Sequence, residues 1–178
     1  MSDAARFEAF VREYQDMVFA TAVRLLGRES DAEDVAQTVF LRAYERFTEL
    51  SRSPAAPGWL KTVTTNLCLN YLSRYRARWQ FFSEMDMAPD GPALSDRVAL
   101  MASGPEELER IERQERLERA LRRLPDHQRV PLVLFHFEEM SYQEIADAMS
   151  VPLSKVKSDI HRGREALKRE LLTTDGPR

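Results

Sequence analysis

The chain has 178 residues, which fits one ordinary domain or two small ones. Apolar residues make up 43% and charged residues 31%, with six glycines and nine prolines, which excludes a collagen-like or wholly disordered chain. No apolar run approaches the ~20 residues that cross a bilayer, and the first residues lack the apolar segment of a signal peptide. The single cysteine, Cys68, cannot form an internal disulfide, which fits a reducing compartment. We therefore expect a cytoplasmic protein.

The formal net charge of −3 argues against a nucleic-acid binder, but the distribution of charge argues for one. Residues 51–83 contain five basic residues and no acidic residue, whereas residues 1–50 contain six basic and ten acidic residues. DNA responds to the local potential within a Debye length of about 10 Å, so the blocks matter more than the total.

Apolar residues recur every three to four positions nearly everywhere, which predicts an all-α protein. A first helix ends at Gly27, and Ser30 with Glu33 has the capping-box spacing that begins a second helix. Two prolines among small polar residues predict a loop at residues 48–57, and a third helix follows. The predicted inner stripe of the second helix is Val35, Val39, Phe40, Ala43, Tyr44 and Phe47.

Residues 84–104 break this pattern, because they contain prolines and glycines and no sustained apolar stripe. We interpret them as a flexible linker. A further helix begins near Pro105, with acidic residues placed to favour its N-terminal dipole. The predicted architecture is two small helical bundles, residues 1–83 and 105–178, joined by this linker.

Residues 141–168 have the pattern of a helix-turn-helix. A capping box begins the first helix at Ser141, and the small residue Ala146 stands where the two helices must cross. The turn position usually held by glycine is Ser150, and the second helix begins near Ser154. The exposed side of this helix carries Lys155, Lys157, Ser158, His161, Arg162, Arg164 and Lys168. A helix fits the major groove and basic side chains reach phosphates, so duplex DNA binding is predicted; a helical hairpin with a solvated basic face is the alternative.

The third predicted helix interleaves aromatic and basic side chains without an acidic residue. Rings can stack on unpaired bases while cations meet phosphates, so this composition is typical of single-strand binding. For Trp59 and Tyr71 a place in the core is an equally good interpretation. The residues concerned are Trp59, Lys61, Asn66, Asn70, Tyr71, Arg74, Tyr75, Arg76, Arg78 and Trp79.

The first turns of the second helix are acidic, with Asp31, Glu33, Asp34 and Gln37 followed by Phe40. These charges favour the positive N-terminal end of a helix, and the alternative is an acidic docking face for a basic partner.

These segments, in this order, resemble the extracytoplasmic-function (ECF) sigma factors of bacterial RNA polymerase. The resemblance covers nearly the whole chain. The matching stretches are DAEDVAQTVF at 31–40, WLKTVTTN at 59–66, SYQEIA at 141–146 and VKSDIHRGR at 156–164.

The resemblance implies a sigma2 domain at 1–83 and a sigma4 domain at 105–178. Such a protein would bind core RNA polymerase and direct promoter-specific initiation, with sigma2 recognising the −10 element and sigma4 the −35 element. It would be a monomer when free, need no cofactor, and be controlled by an anti-sigma factor. The polymerase-binding residues implied are Asp31, Asp34, Gln37 and Phe40. The sigma2 residues implied in DNA binding are Ser51, Arg52, Ser53, Trp59, Lys61, Asn66, Asn70, Arg74 and Arg76.

The sequence also departs from the family. Asp159 stands where the family usually has Arg, so it must contact a cytosine amine, pair with a neighbour such as Arg162, or face away from DNA. Thr65 replaces a common Arg, and Asn70 replaces a common Asp. These departures bear on affinity and promoter choice.

An enzyme is the first alternative class, and the residues argue against it. His127, His136 and His161 lack metal-ligand spacing, and no cysteine cluster, phosphate-binding glycine loop or nucleophile elbow is present. Two binding proteins remain as alternatives: a dimeric helix-turn-helix regulator whose N-terminal bundle senses a ligand, and a sigma mimic that binds regulators without binding DNA.

Overall fold

The computed structural model describes residues 2–79 and 104–174, with the side chains of 75–79 and 174 excluded. Every regular element in these ranges is a helix, as predicted. The first unit contains α1 (Asp3–Leu26), α2 (Glu29–Glu45), α3 (Phe47–Leu50) and α4 (Ala56–Trp79). The second contains α5 (Pro105–Arg123), α6 (Asp126–His136), α7 (Tyr142–Met149) and α8 (Leu153–Thr174). The predicted linker lies outside the described residues, except for Gly104.

In the first unit, α1 packs against both α2 and α4, and α2 packs against α4. Small residues at the centre, such as Ala22, Ala32 and Ala43, are fully buried, which allows these helices to approach closely. On α4, Leu60 and Cys68 are also fully buried. The helix α1 ends at Gly27 as predicted, with a φ of 75° and its N–H bonded to the carbonyl of Val23.

Three local predictions for this unit are wrong. Helix α2 begins at Glu29 after Arg28, which makes no side-chain cap, so the expected capping box is not used. Residues 47–50 form α3 and α4 already begins at Ala56, so the predicted loop shortens to residues 51–55. In the predicted inner stripe of α2, Tyr44 is 62% exposed, because the buried side follows Val35, Val39 and Ala43 at strict four-residue spacing.

In the second unit, α8 packs against α5, α6 and α7. Helix α6 is buried from Arg129 to Leu134 and forms the centre of this unit. Gly163 of α8 lies over the first turn of α6, where an added Cβ would stand 3.0 Å from the Gln128 carbonyl oxygen. A glycine therefore permits this close crossing of α6 and α8.

Arg129 is 3% exposed and joins the end of α5 to the start of α6. Its Nη1 donates a 2.8 Å hydrogen bond to the carbonyl of Leu124, and its Nη2 donates to the carboxylate of Asp126.

Within the two described ranges, no helix is long and apolar enough to span a membrane.

Candidate nucleic-acid interface

The helix-turn-helix is built from local hydrogen bonds. Glu144 N–H donates to the Ser141 hydroxyl at 3.1 Å, and Ser141 N–H donates to the Glu144 carboxylate at 2.9 Å, which completes the predicted capping box. Ser150 ends α7 in the left-handed region, with a φ of 55°. The N–H of Val151 then reaches back 3.0 Å to the carbonyl of Ala146. This turn aims α8 across α7.

The apolar positions of this motif lie where the sequence predicts. Ile145, Ala146, Val156 and Ile160 are buried between the helices, and Val151 is half-buried. Every candidate DNA-binding residue on α8 is exposed: Lys155, Lys157, Ser158, His161, Arg162, Arg164 and Lys168. Helix α8 can therefore present its outer face to a groove, and the binding itself stays a prediction.

Asp159 does not belong to this outer face. Its side chain is 7% exposed, and its Oδ2 accepts a 2.6 Å hydrogen bond from Nζ of Lys155, one turn earlier. Of the three roles open to it from the sequence, it turns inward, and it pairs with Lys155 rather than with Arg162. The negative charge of Asp159 is therefore balanced by a lysine of the same helix.

Arg164 lies against the end of α6. Its Nε donates a 3.2 Å hydrogen bond to Nε2 of His136, and its guanidinium carbon is 5.5 Å from the centre of the Phe135 ring. The Tyr142 ring contacts Phe135, with centroids 4.8 Å apart. Partial burial and the charge of Arg164 lower the pKa of His136 below its usual value of 6.5. The imidazole is therefore neutral at neutral pH and accepts this bond.

Helix α4 carries an exposed stripe of polar residues, here called the α4 stripe: Thr62, Asn66, Asn70 and Arg74. Residues four apart on a helix lie on one face, so the structure brings the predicted Asn66, Asn70 and Arg74 together. Trp59 and Lys61 are half-buried, and Arg76 lies in the part of α4 whose side chains are not described. Because residues 51–83 include no acid, the sequence around this stripe carries only positive charge.

The loop at residues 51–55 is tightly turned. The Ser53 hydroxyl accepts a 3.2 Å hydrogen bond from the N–H of Ala55, and the Ser51 hydroxyl donates to the carbonyl of Thr48. Arg52 is exposed between them. The guanidinium of Arg46 lies 6.0 Å from the Trp59 ring centre and so connects the two sides of the loop.

The acidic candidate site on α2 is larger than the sequence predicts. Asp34 and Gln37 are exposed and are continued along the same face by Leu41, which is 68% exposed, and by Tyr44. We name Asp34, Gln37, Leu41 and Tyr44 the α2 stripe. Phe40 and Asp31 lie half-buried beside it. Leu41 could have been found from the sequence, because it falls outside the four-residue spacing of the buried positions.

Among the described residues, no group of three or more histidine, cysteine, aspartate or glutamate side chains could hold a metal ion. The Thr65 hydroxyl, which stands where an arginine is common in the family, is buried without a hydrogen-bond partner. It is therefore directed into the bundle and away from the α4 stripe.

Comparison with known proteins identifies the family. Residues 10–78 match the model for sigma-70 region 2, and residues 114–167 match the model for sigma-70 region 4. The chain is 29% identical to the ECF RNA polymerase sigma factor SigW of Bacillus subtilis over 170 residues, which cover 95% of this chain and 90% of SigW. It is 30% identical to the ECF RNA polymerase sigma-E factor of Escherichia coli over 166 residues, which cover 93% of this chain and 86% of that protein.

The chain belongs to the ECF sigma factors of the sigma-70 family. As a sigma factor it directs transcription initiation and is not an enzyme. The two units described above correspond to sigma region 2 and sigma region 4. This assignment favours the sigma factor over the ligand-sensing regulator considered from the sequence.

A solved relative of the sigma factor supports the fold. The sigma factor RpoE of Bartonella quintana, in a co-crystal structure with the anti-sigma factor NepR, superposes with a TM-score of 0.51. The match covers 95% of this chain and 98% of that chain at 21% identity.

Proposed function

We propose that this sigma factor uses three separate surfaces: the α2 stripe for core polymerase, the α4 stripe for melted promoter DNA, and the outer face of α8 for upstream duplex. The observation that carries the proposal is the α4 stripe, whose exposed polar side chains follow each other at four-residue spacing in an acid-free part of the chain. Amide and guanidinium groups in such a row can meet base edges and phosphates of a single strand.

The α8 surface supports the second DNA contact. Its N-terminal half exposes Lys157, Ser158 and His161, and the neighbouring Asp159 is buried and paired. Side chains at this end of a helix-turn-helix reach base edges in the major groove, while flanking cations reach phosphates. We assign Arg162, Arg164 and Lys168 to phosphates, because long basic side chains contribute mainly sequence-independent affinity.

The α2 stripe supports docking on polymerase. It combines carboxylate and amide groups with a large exposed leucine, which fits an interface with a polar rim and an apolar centre. Glutamate and aspartate at the start of α2 also favour its N-terminal dipole, so acidic character alone does not identify the surface. The exposed Leu41 adds the apolar component that a dipole role does not need.

Transcription with purified core polymerase tests the whole proposal. We expect the wild-type chain to direct initiation from promoters selected out of a library, and N66A/N70A to lose initiation while keeping polymerase binding. L41S should weaken polymerase binding with no DNA present, whereas exposed Leu172, which lies in the second unit and outside the α2 stripe, provides the control L172S. Normal polymerase binding by L41S, or normal initiation by N66A/N70A, would contradict the assignment of that surface.

We further propose that the free protein is a cytoplasmic monomer under the control of an anti-sigma factor. The co-crystallised Bartonella relative supports such a partner. Purification of the tagged chain from its own cells, followed by a test of whether the captured protein blocks polymerase binding, would check this control. A captured protein that leaves polymerase binding unchanged would oppose it.

A further inference from the structure

We propose that His136 is a positioning residue for Arg164: its neutral imidazole holds the guanidinium at the end of α6, so that protonation of His136 weakens promoter binding. This inference rests on the proposed function, in which Arg164 contacts a phosphate.

The geometry gives Arg164 two fixed contacts inside the second unit. The 3.2 Å hydrogen bond to His136 uses the Nε donor, and the Phe135 ring lies 5.5 Å from the guanidinium carbon. The Tyr142 ring of α7 also contacts Phe135, with centroids 4.8 Å apart. The donors of both terminal amino groups remain for an outside acceptor such as a phosphate, which arginine binds through two parallel hydrogen bonds. A side chain held in this way loses less conformational freedom when DNA binds.

Protonation of His136 reverses the contact. A protonated imidazole has a donor in place of the acceptor at Nε2, and its positive charge repels the guanidinium. The charged group of α8 that contacts His136 is Arg164. From α7, Tyr142 contacts the neighbouring Phe135. Glu138 and Glu139 follow His136 in the sequence, just after α6 ends. Those two carboxylates would favour the protonated form. The pKa of His136 is nevertheless lowered, first by desolvation and then by the charge of Arg164.

The sign of the pH effect follows from this direction. A lowered pKa in the folded chain means that the contact is intact above about 6.5, the value of a free histidine, and is lost as the pH falls through the lower folded value. A pH below the folded pKa of His136 should therefore release Arg164 from this contact. Each variant must therefore be compared with the wild type at the same pH.

The first experiment needs no DNA. The pKa of His136 is measured by NMR in the full chain and in R164Q. We expect the His136 pKa to rise in R164Q, because the charge of Arg164 is one cause of its lowered value. An unchanged His136 pKa would overturn the inference and would leave the proposed sigma function standing.

The second experiment uses holoenzyme on a promoter fragment that the wild type transcribes. H136Q keeps an acceptor but gains no proton, so at a pH of about 7.5 it should bind like the wild type, and at a pH below the His136 pKa measured in the first experiment it should bind severalfold more tightly than the wild type. H136L removes the acceptor and should bind severalfold more weakly than H136Q at both values, and the control H127Q should follow the wild type throughout.

Two results of this experiment would overturn the inference. Tighter binding by the wild type than by H136Q in acid would mean that protonated His136 contacts DNA itself. If R164Q, measured in the same way, binds as tightly as the wild type, Arg164 has no DNA contact to be positioned. Neither result would remove the sigma function, because that function fails only if the wild-type holoenzyme starts at no promoter.

Discussion

Asp159 and Lys155 form an ion pair along α8, with Nζ of Lys155 2.6 Å from Oδ2 of Asp159. The carboxylate is 7% exposed and the lysine side chain 47% exposed, so the pair stands at the boundary between the core and the outer face. A carboxylate in a helix proposed to bind DNA is therefore compatible with that role. It also means that Lys155 is already partly neutralised when DNA arrives.

Replacing Asp159 by Asn should free Lys155 for phosphate contact. We expect D159N to raise the salt dependence of DNA binding by up to about one counterion in the slope of log affinity against log salt. Fluorescence anisotropy of the full chain on a labelled duplex over a salt series measures this slope. Asn has nearly the same shape as Asp, so packing should change little.

The double variant D159N/K155A serves as the control for this prediction. If the gain comes from Lys155, the slope of the double variant should not exceed that of the wild type, because the two changes share one interaction. A steeper slope that persists without Lys155 would contradict the account of the pair.

Two glycines within helices should respond in opposite ways to alanine. G163A places a Cβ 3.0 Å from the backbone oxygen of Gln128, and we expect it to destabilise the second unit by about 1–3 kcal/mol despite the better helix propensity of alanine. G58A meets nothing within 4 Å and should stabilise the first unit by about 0.5–1 kcal/mol.

Urea unfolding can assign these changes to the correct unit. Trp59 and Trp79 both belong to the first unit, so tryptophan fluorescence follows that unit while far-UV circular dichroism follows both. A stable G163A would show that α6 can move away from α8, and a destabilised G58A would show that Gly58 has a structural role in the free protein.

Replacing Ser150 by glycine is expected to stabilise the protein. Its φ of 55° lies in the left-handed region, where a side chain costs roughly 1 kcal/mol, so S150G should stabilise the second unit by about that amount. The matched control is S158G, within α8, which should destabilise by about 0.5–1 kcal/mol. Chemical denaturation followed by circular dichroism compares the two, and a loss of stability in S150G would indicate that its hydroxyl contributes to the turn.

The buried Arg129 should matter more than an exposed arginine in the same unit. R129M leaves the Leu124 carbonyl without its 2.8 Å donor and removes the partner of Asp126, so we expect a loss of about 1–3 kcal/mol. R123M breaks the 3.2 Å pair between Arg123 and Glu170, which is largely exposed, and should cost less than about 1 kcal/mol. Equal losses in thermal unfolding would count against the role of Arg129 at the α5–α6 junction.

The sequence predicts best the features that depend on a few neighbouring residues. The end of α1 at Gly27, the start of α5 at Pro105 and the capping box at Ser141 all follow from local chemistry, and the structure has each of them. The helix-turn-helix could be predicted for the same reason. The start of α2 shows the limit, because Ser30 and Glu33 have the right spacing but the chain enters the helix two residues earlier, with Arg28 in place of Ser30 as the N-cap.

Contacts between distant residues could not be predicted in this way. His136 and Arg164 meet only because α6 and α8 cross, and that crossing depends on Gly163 facing Gln128. Asp159 is one turn from Lys155 in sequence, but whether it turns inward depends on how α8 packs against its neighbours. The exposure of Tyr44 likewise depends on a distant residue. Its ring contacts Phe7 of α1, with centroids 5.0 Å apart, outside the central core.

The complete burial of Cys68 in α4 makes the protein its own reporter of partial unfolding. Cys68 is the single cysteine in the chain, and because it is fully buried its thiol can be alkylated only when the bundle of α1, α2 and α4 opens. The alkylation rate therefore measures how often the first unit opens locally, without any engineered probe. Slower alkylation after addition of core polymerase would show how much the bound partner suppresses that opening.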